Sequence, residues 1–249
     1  MAEGVAFDGV AFDGVRFGWR GEAPLFDELS LRVPAGEIVA VVGASGCGKS
    51  TLLRLAAGLL TPDAGRVTAP AGERAFVFQR PTLLPWRTLA DNVRLPLELA
   101  GGADARDADD AVREALGKVG LADDADKLPR ALSGGMKMRA SLARALVTRP
   151  TLMLLDEPFG ALDALSRRAL HAVFLALWRR EGFTALLVTH DIDEAVLLSD
   201  RVLVMSSRGE GVPATLSGDV TVTLPRPRTR ALLHDPALGA IARGLEEML

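Results

Sequence analysis

Five consecutive apolar residues, 38–42, run straight into Gly43-Ala44-Ser45-Gly46-Cys47-Gly48-Lys49-Ser50. This junction constrains the fold more than any other feature of the chain. An unbroken apolar run of this length reads as a strand buried on both faces. The turn after it fits G-x-x-x-x-G-K-[ST] and requires a helix immediately downstream, here through residues 51–57, so that backbone N–H groups can curl around an anion. Glycine lets the backbone make that curl without side-chain clash, and the helix N-terminus adds positive potential. Residues 75–78, 152–155 and 185–188 form further short apolar runs, with 202–205 as a fifth candidate. The segments between them are long enough for crossover helices, so the class is α/β with a parallel sheet.

The N-terminal part is patterned differently. A tandem copy, Val5-Ala6-Phe7-Asp8-Gly9 then Val10-Ala11-Phe12-Asp13-Gly14, alternates as a strand and turn near a sheet edge would. Residues 25–33 read as a second strand, and Pro34-Ala35-Gly36 as a turn, which together predict an antiparallel N-terminal portion. Between Arg80 and Arg149 the patterns are helical. Ala111, Val112, Ala115, Leu116 and Val119 share one helix face, while Gly101-Gly102 and the acidic stretch 104–110 read as a solvated connection. This block reads as a helical insertion rather than a separate domain.

Composition excludes several classes. With 29 basic and 32 acidic residues the formal charge is −3, which gives no basic excess for nucleic acid. No run approaches the ~20 apolar residues of a membrane span, and the N-terminus lacks the basic-then-apolar pattern of a secretory signal. The single cysteine, Cys47, admits no disulfide within the chain and fits a reducing compartment.

The chemistry-bearing residues start in the glycine-rich loop. Gly43, Ser45, Gly46, Cys47 and Gly48 supply the phosphate cradle, with Thr51 in the first helical turn. Lys49 is placed to reach the β- and γ-phosphates, and the Ser50 hydroxyl to hold Mg²⁺. The apolar run 152–155 ends in Asp156-Glu157, the first carboxylate suited to Mg²⁺ and the second to accepting a proton from attacking water. Ser133-Gly134-Gly135-Met136 opens a second helix on small residues, a second anion-binding surface. One ATP needs only one phosphate loop, so a second cradle suggests two chains sharing nucleotides.

The order of these motifs is similar to that of the ATP-binding subunits of ATP-binding-cassette transporters, over nearly the whole length. The phosphate loop is followed by Gln79 at a strand end, the Ser133-Gly134-Gly135 signature, Asp156-Glu157, Gly160-Ala161-Leu162-Asp163 in the D-loop place, and His190 after the run 185–188. The resemblance implies a P-loop NTPase (RecA-like) core in one cassette domain, 1–249, with a helical subdomain at roughly 80–149. It implies a head-to-tail homodimer holding two ATP·Mg²⁺, with Ser50, Gln79 and Asp156 serving the metal. Glu157 and His190 would act on water and γ-phosphate, beside Ser133 and Gly135 of the facing copy, with Asp163 in the nucleotide-binding set. The chain departs from the family at Met136, where Gln is usual, and at Gly160, where Ser is usual. It has no tyrosine for the adenine, so Phe17 takes that place with Trp19 as runner-up. His171 and His234 have no such context and read as structural. Cys47 reads either as a small residue tolerated in the loop or as a thiol made acidic by the helix end and Lys49.

Residues 80–89 hold an apolar, Pro-interrupted segment with Trp86, readable as core under the helical block or as a groove for a membrane partner's helix. The Leu-Leu-Pro-Trp wording, with Asp91-Asn92-Val93 after it, and the tail Leu224-Pro225-Arg226-Pro227-Arg228, whose arginines otherwise read as a solvated surface, resemble the nitrate, sulfonate and taurine importers. Such a subunit would sit on the cytoplasmic face of a membrane permease, be served indirectly by an extracytoplasmic solute-binding protein, and bind no nucleic acid. The 59 residues after His190 (249 − 190) leave no room for a large regulatory domain. The open alternatives are a cassette ATPase without a permease, another importer substrate, and a regulatory module that binds ATP without turnover.

Overall fold

A computed structural model of the chain describes residues 9–101, 104–207, 209, 211–228 and 235–249. Most of the first tandem copy (Val5, Ala6, Phe7, Asp8), Gly102 and His234 lie outside the described residues. The elements begin with β1 (Val10–Gly18), β2 (Pro24–Val33), β3 (Ile38–Gly43), α1 (Lys49–Ala57) and β4 (Ala64–Thr68). There follow β5 (Arg74–Val77), α2 (Leu89–Ala100), α3 (Ala105–Lys118), α4 (Gly134–Leu146), β6 (Leu152–Asp156) and α5 (Ala164–Glu181). The chain closes with β7 (Thr184–Val188), α6 (Ile192–Leu198), β8 (Arg201–Ser206), β9 (Thr215–Thr221) and α7 (Pro236–Glu246). Two compact units result: Met1–Ala71 with Phe183–Leu249, and Gly72–Gly182.

In the first unit β3 lies between β7 and β8, parallel to both, and β9 runs antiparallel outside β8. Residues 38–42 are buried throughout, as is β7, which is why neither carries a polar residue on either face beyond Thr184. Ala40, Val42, Ala195, Val196, Val202, Val204 and Leu238 share one core under α6 and α7.

The N-terminal sheet is antiparallel, as its alternation predicts, with order β2-β1-β4. The edge assignment is corrected: β1 is the central strand. Asp13-Gly14 makes no turn between strands but an irregularity within β1, where Gly14 N–H donates to Ser30 Oγ at 2.9 Å. The partner that makes β1 central is β4, a mostly exposed Ala-Gly-Arg-Val-Thr segment with no periodicity to announce it.

In the second unit β5 pairs parallel with β6, Arg74 opposite Leu152. The described residues between them form α2, α3, α4 and short 3₁₀ turns. On α3, Val112, Ala115 and Leu116 are buried, with Val119 just beyond its end, in line with their helical spacing. The acidic stretch is not a connection. Asp104 caps α3 by accepting from Arg106 N–H, and residues 105–110 are its first turns, where negative charge favours a helix start.

Candidate functional site

The first unit carries the phosphate loop. β3 ends at Gly43, and a Cβ there would fall on the Met205 carbonyl oxygen and 2.9 Å from Cys47 Sγ. Gly48 precedes α1 at φ 97°, and a Cβ on it would meet the Phe26 ring at 2.8 Å. Both glycines are therefore required by close packing, and Gly48 also by its left-handed backbone. Phe26, fully buried beneath the loop, belongs to its support, and no motif signals it. The described α-helices other than α1 each start with a side chain accepting from their first turn: Thr88, Asp104, Ser133, Asp163, Asp191 and Asp235. α1 has no side-chain cap and no acid in its first turn, the arrangement that suits an anion at a helix N-terminus. Ala44, Ser45 and Gly46 are exposed above it, Ser50 is half-buried and Thr51 buried.

Lys49 is 7 % exposed, and its Nζ donates to the carbonyls of Gly43 at 2.7 Å and Ala44 at 2.8 Å. The ammonium is thus held over the loop by its own backbone. Cys47 is buried, 2 % exposed, with Sγ 4.0 Å from Lys49 Nζ. Burial, the largest influence, pushes the Cys47 thiol up, against the opposing pull of Lys49 and of backbone N–H donors. The acidic-thiol reading is corrected accordingly. A raised pKa leaves less thiolate at neutral pH than a free cysteine has. Iodoacetamide, followed by intact mass, should therefore label Cys47 more slowly than free cysteine at pH 7. Labelling should accelerate past pH 9, and bound ATP should slow it; a rate that levels off below pH 8 would contradict this burial argument.

Phe17 and Trp19 separate clearly. Phe17 is 6 % exposed, paired with Phe26 across the β1–β2 ladder, and meets Trp19 edge-on at 5.2 Å. Trp19 is 42 % exposed. The expectation for Phe17 as the base-stacking face is corrected, because its alternation on β1 turns the ring inward; Trp19 offers the accessible face.

His190 is exposed between β7 and α6. Asp191 Oδ1 accepts from Glu194 N–H at 2.9 Å. The Glu194 carboxylate, instead of closing a reciprocal capping box, takes the Thr189 hydroxyl at 2.6 Å, and both of those side chains are buried.

The second unit carries the carboxylates. Asp156 ends β6, and Glu157 follows in the left-handed region at φ 45°, a conformation that costs a non-glycine residue about 1–3 kcal/mol. Glu157 also precedes Pro158, a position biased toward extended backbone. The turn is held by Gly160 N–H to Glu157 O at 3.2 Å and by the buried Phe159. The Phe159 ring meets His171 edge-on at 4.6 Å, which gives His171 its structural role. Gln79 Nε2 lies 3.5 Å from Glu157 Oε2, the outer limit of a hydrogen bond. Asp163 caps α5 through Leu165 and Ser166 N–H, both at 3.0 Å, and these bonds, those to Ser166 first, hold its carboxyl below the usual range.

Ser133 caps α4 by accepting from Met136 N–H at 3.2 Å; Ser133 and Gly134 are exposed, and Gly135 is buried. A Cβ on Gly135 would lie 3.3 Å from Ser166, so the signature glycine lets the starts of α4 and α5 approach. Among the described residues no group of three or more His, Cys, Asp or Glu side chains could hold a metal ion. A Mg²⁺ carried by one hydroxyl, one carboxylate and phosphate oxygens needs no such group.

Trp86 is 73 % exposed, which settles that it is not core. It sits on a turn stapled by fully buried Asn92, whose Oδ1 accepts from Leu84 N–H at 2.7 Å. Asn92 Nδ2 donates to the carbonyls of Leu84, Arg87 and Thr88 at 3.1, 3.1 and 2.9 Å. Arg144 holds the preceding stretch through Pro81 O and Thr82 O at 2.9 and 2.8 Å. The sequence marks Asn92 only through the Asp91-Asn92-Val93 wording, and neither its bonds nor those of Arg144 are legible there, since both lie in ordinary helical segments. Beside this segment a cleft of about 310 Å³ is lined by Phe76, Pro96, Leu99, Arg144 and Thr148, among others. No helix among the described residues is long and apolar enough to cross a membrane.

Comparison with known proteins agrees with this layout. The family model described as ABC transporter matches residues 26–160. An aliphatic sulfonates import ATP-binding protein of Escherichia coli O6:K15:H31 (strain 536 / UPEC) is 50 % identical over 211 residues, 82 % of this chain and 78 % of the relative. One of the same description from Mesorhizobium japonicum is 48 % identical over 216 residues, 84 % of this chain and 78 % of the relative. A dimeric ATP-binding cassette solved in a post-hydrolysis state with ADP and Pi superposes with TM-score 0.73 at 27 % identity, covering 87 % of this chain and all of that one. The chain belongs to the ABC transporter family, as one of its ATP-binding cassettes.

Proposed function

We propose that this chain is the ATP-hydrolysing subunit of an importer for aliphatic sulfonates, taurine, nitrate or a similar small solute. It works as a homodimer on permease subunits at the cytoplasmic face of the membrane. The observation that carries the reading is the 48–50 % identity to sulfonate-import ATP-binding proteins over more than four-fifths of the chain, with the phosphate loop, Gln79, Asp156, Glu157 and His190 in the order of a hydrolysing cassette. On this reading residues 1–249 form one cassette domain with a helical insertion near 80–149.

The residues fit ATP and Mg²⁺: α1 opens uncapped behind a loop with no room for side chains at Gly43 and Gly48, and Lys49 reaches over it. Gly43, Ser45, Gly46, Cys47, Gly48 and Thr51 cradle phosphate through their backbone, and Lys49 adds charge. Ser50, Gln79 and Asp156 hold the metal, which when bound neutralises charge on the phosphate oxygens. Glu157 accepts a proton from the attacking water. His190 contacts the γ-phosphate, Trp19 stacks on the base, and Asp163 holds the α5 start that faces the dimer partner. Ser133, Gly134 and Gly135 bind the γ-phosphate in the site of the partner subunit.

The test is steady-state ATPase of the chain alone and reconstituted with its permease in vesicles. Binding protein loaded with a sulfonate, taurine or nitrate should raise turnover of the reconstituted form. Turnover that no loaded binding protein changes points to a cassette serving no permease. In the same assay Trp86→Ala should leave basal ATPase unchanged and lower the permease-dependent increment several-fold. An exposed aromatic on a turn held by Asn92 is a preorganised contact, and its removal takes away binding area without disturbing the core.

A further inference from the structure

The tail arginines are not a solvated surface, contrary to the sequence reading. Arg228 is 7 % exposed. Its Nη1 donates to the carbonyls of Val196, at 3.0 Å, and Ser199. Its Nη2 donates to Val222 O at 2.9 Å and its Nε to Leu224 O at 2.9 Å. Arg226 donates through Nη2 to Leu198 O at 2.8 Å, and through Nε and Nη2 to Asp200 Oδ1 at 3.0 and 2.8 Å.

Three of these acceptors, the carbonyls of Val196, Leu198 and Ser199, lie at the end of α6. The last four carbonyls of an α-helix have no partner inside it. In α6, Ala195 O takes the Ser199 N–H and hydroxyl at 3.0 and 2.6 Å, while Val196 O and Leu198 O take the two arginines. Two guanidinium groups also suit the negative end of the helix dipole. At the other end Asp191 caps the helix, and the buried Thr189–Glu194 bond closes around His190. Seven residues are too few to hold helical geometry alone, so α6 takes its position from the core that Ala195, Val196 and Leu197 pack into together with these two clasps. Asp200 extends the connection: its Oδ2 accepts from Ile38 N–H at 3.0 Å, and its N–H donates to Ile38 O at 2.7 Å, at the start of the strand that ends in Gly43.

We infer that residues 224–228 form a positioning strap, in which Arg226 and Arg228 fix α6 and thereby set His190 relative to the phosphate loop carried by β3. The inference rests on the γ-phosphate role proposed for His190. Neither arginine touches reacting atoms; both act through the helix.

The test uses the full chain with saturating Mg²⁺·ATP. Arg228→Lys and Arg226→Ala should each lower kcat about tenfold, a loss of the size that small misplacement of a reacting geometry produces, with KM for ATP within about twofold. Each should have no further effect when combined with His190→Ala, with residual turnover measured at enzyme excess. Thermal melting identifies variants that remain folded. Should Arg228→Lys not fold, Arg226→Ala decides, since its side chain is partly exposed and its removal leaves the Arg228 bonds intact. Folded variants with kcat within twofold of the parent, or losses that multiply with that of His190→Ala, overturn the strap. If His190→Ala itself keeps full turnover, the His190 reading falls and takes the strap with it. If His190→Ala is inactive while both arginine variants run at full rate, only the strap falls.

Discussion

Glu157→Gln is expected to lower ATP turnover by about 10²–10⁴-fold, the range of general-base catalysis, or about 3–5 kcal/mol of barrier. Nucleotide affinity should stay within about threefold, because the substitution removes proton acceptance but neither size nor charge from the phosphate loop. The backbone supports so narrow an effect. Glu157 is held at φ 45° by the turn to Gly160 and by buried Phe159, and glutamine tolerates that conformation as well as glutamate does. The side-chain neighbour 3.5 Å away, Gln79, can bond to either. Single-turnover hydrolysis with radiolabelled ATP gives the rate, and size-exclusion chromatography with ATP should show the variant accumulating as a closed dimer. Near-normal hydrolysis would remove Glu157 as the base, and loss of ATP binding would place it in the nucleotide-holding set instead.

Lys49→Ala and Ser133→Arg should each abolish turnover alone, and an equimolar mixture should recover roughly a quarter of the parental rate. The fraction follows from symmetry: half of the randomly formed dimers pair the two variants, and each such dimer has one intact site of two. Lys49→Ala removes a charge-assisted contact worth about 1.5–3 kcal/mol, and so weakens ATP binding about 10- to 100-fold. Ser133 is exposed at the start of α4, so an arginine there should leave the subunit's own fold intact. Recovery is measured as phosphate release against mixing ratio. A mixture as inactive as its components would mean that each chain completes its own site, and the head-to-tail reading would fail. Activity in Ser133→Arg alone would show that the second glycine-rich helix start does not serve γ-phosphate.

Much of this molecule is legible without coordinates because its chemistry depends on backbone shape. A strand that must be buried on both faces has to be apolar throughout, so residues 38–42, 152–155 and 185–188 announce themselves. A loop that must approach phosphate has to be glycine, so Gly43–Ser50 does too. The α3 face reads correctly from spacing alone, since helix burial repeats every three to four residues. The misreadings share a cause, which is that the deciding partner is distant in sequence. β4 has no pattern of its own and is a strand because β1 offers an edge. Phe17 and Trp19 are two residues apart on the same face in principle, yet only one ring keeps an accessible side. Cys47 sits beside a lysine, but burial outweighs that charge.

The sequence by itself thus determined the fold class and the family, and named the residues proposed for phosphate, metal and water. Those depend on local spacing and on backbone freedom, which neighbouring residues dictate. Tertiary structure alone decided how the residues are held: Phe26 under Gly48, the left-handed Glu157, the Asn92 staple behind Trp86, and Arg226 and Arg228 on the carbonyls of α6. Each of these is a polar or steric constraint met by a group far along the chain. A buried arginine and a solvated one are spelled alike, and only packing tells which carbonyls are left for it to satisfy.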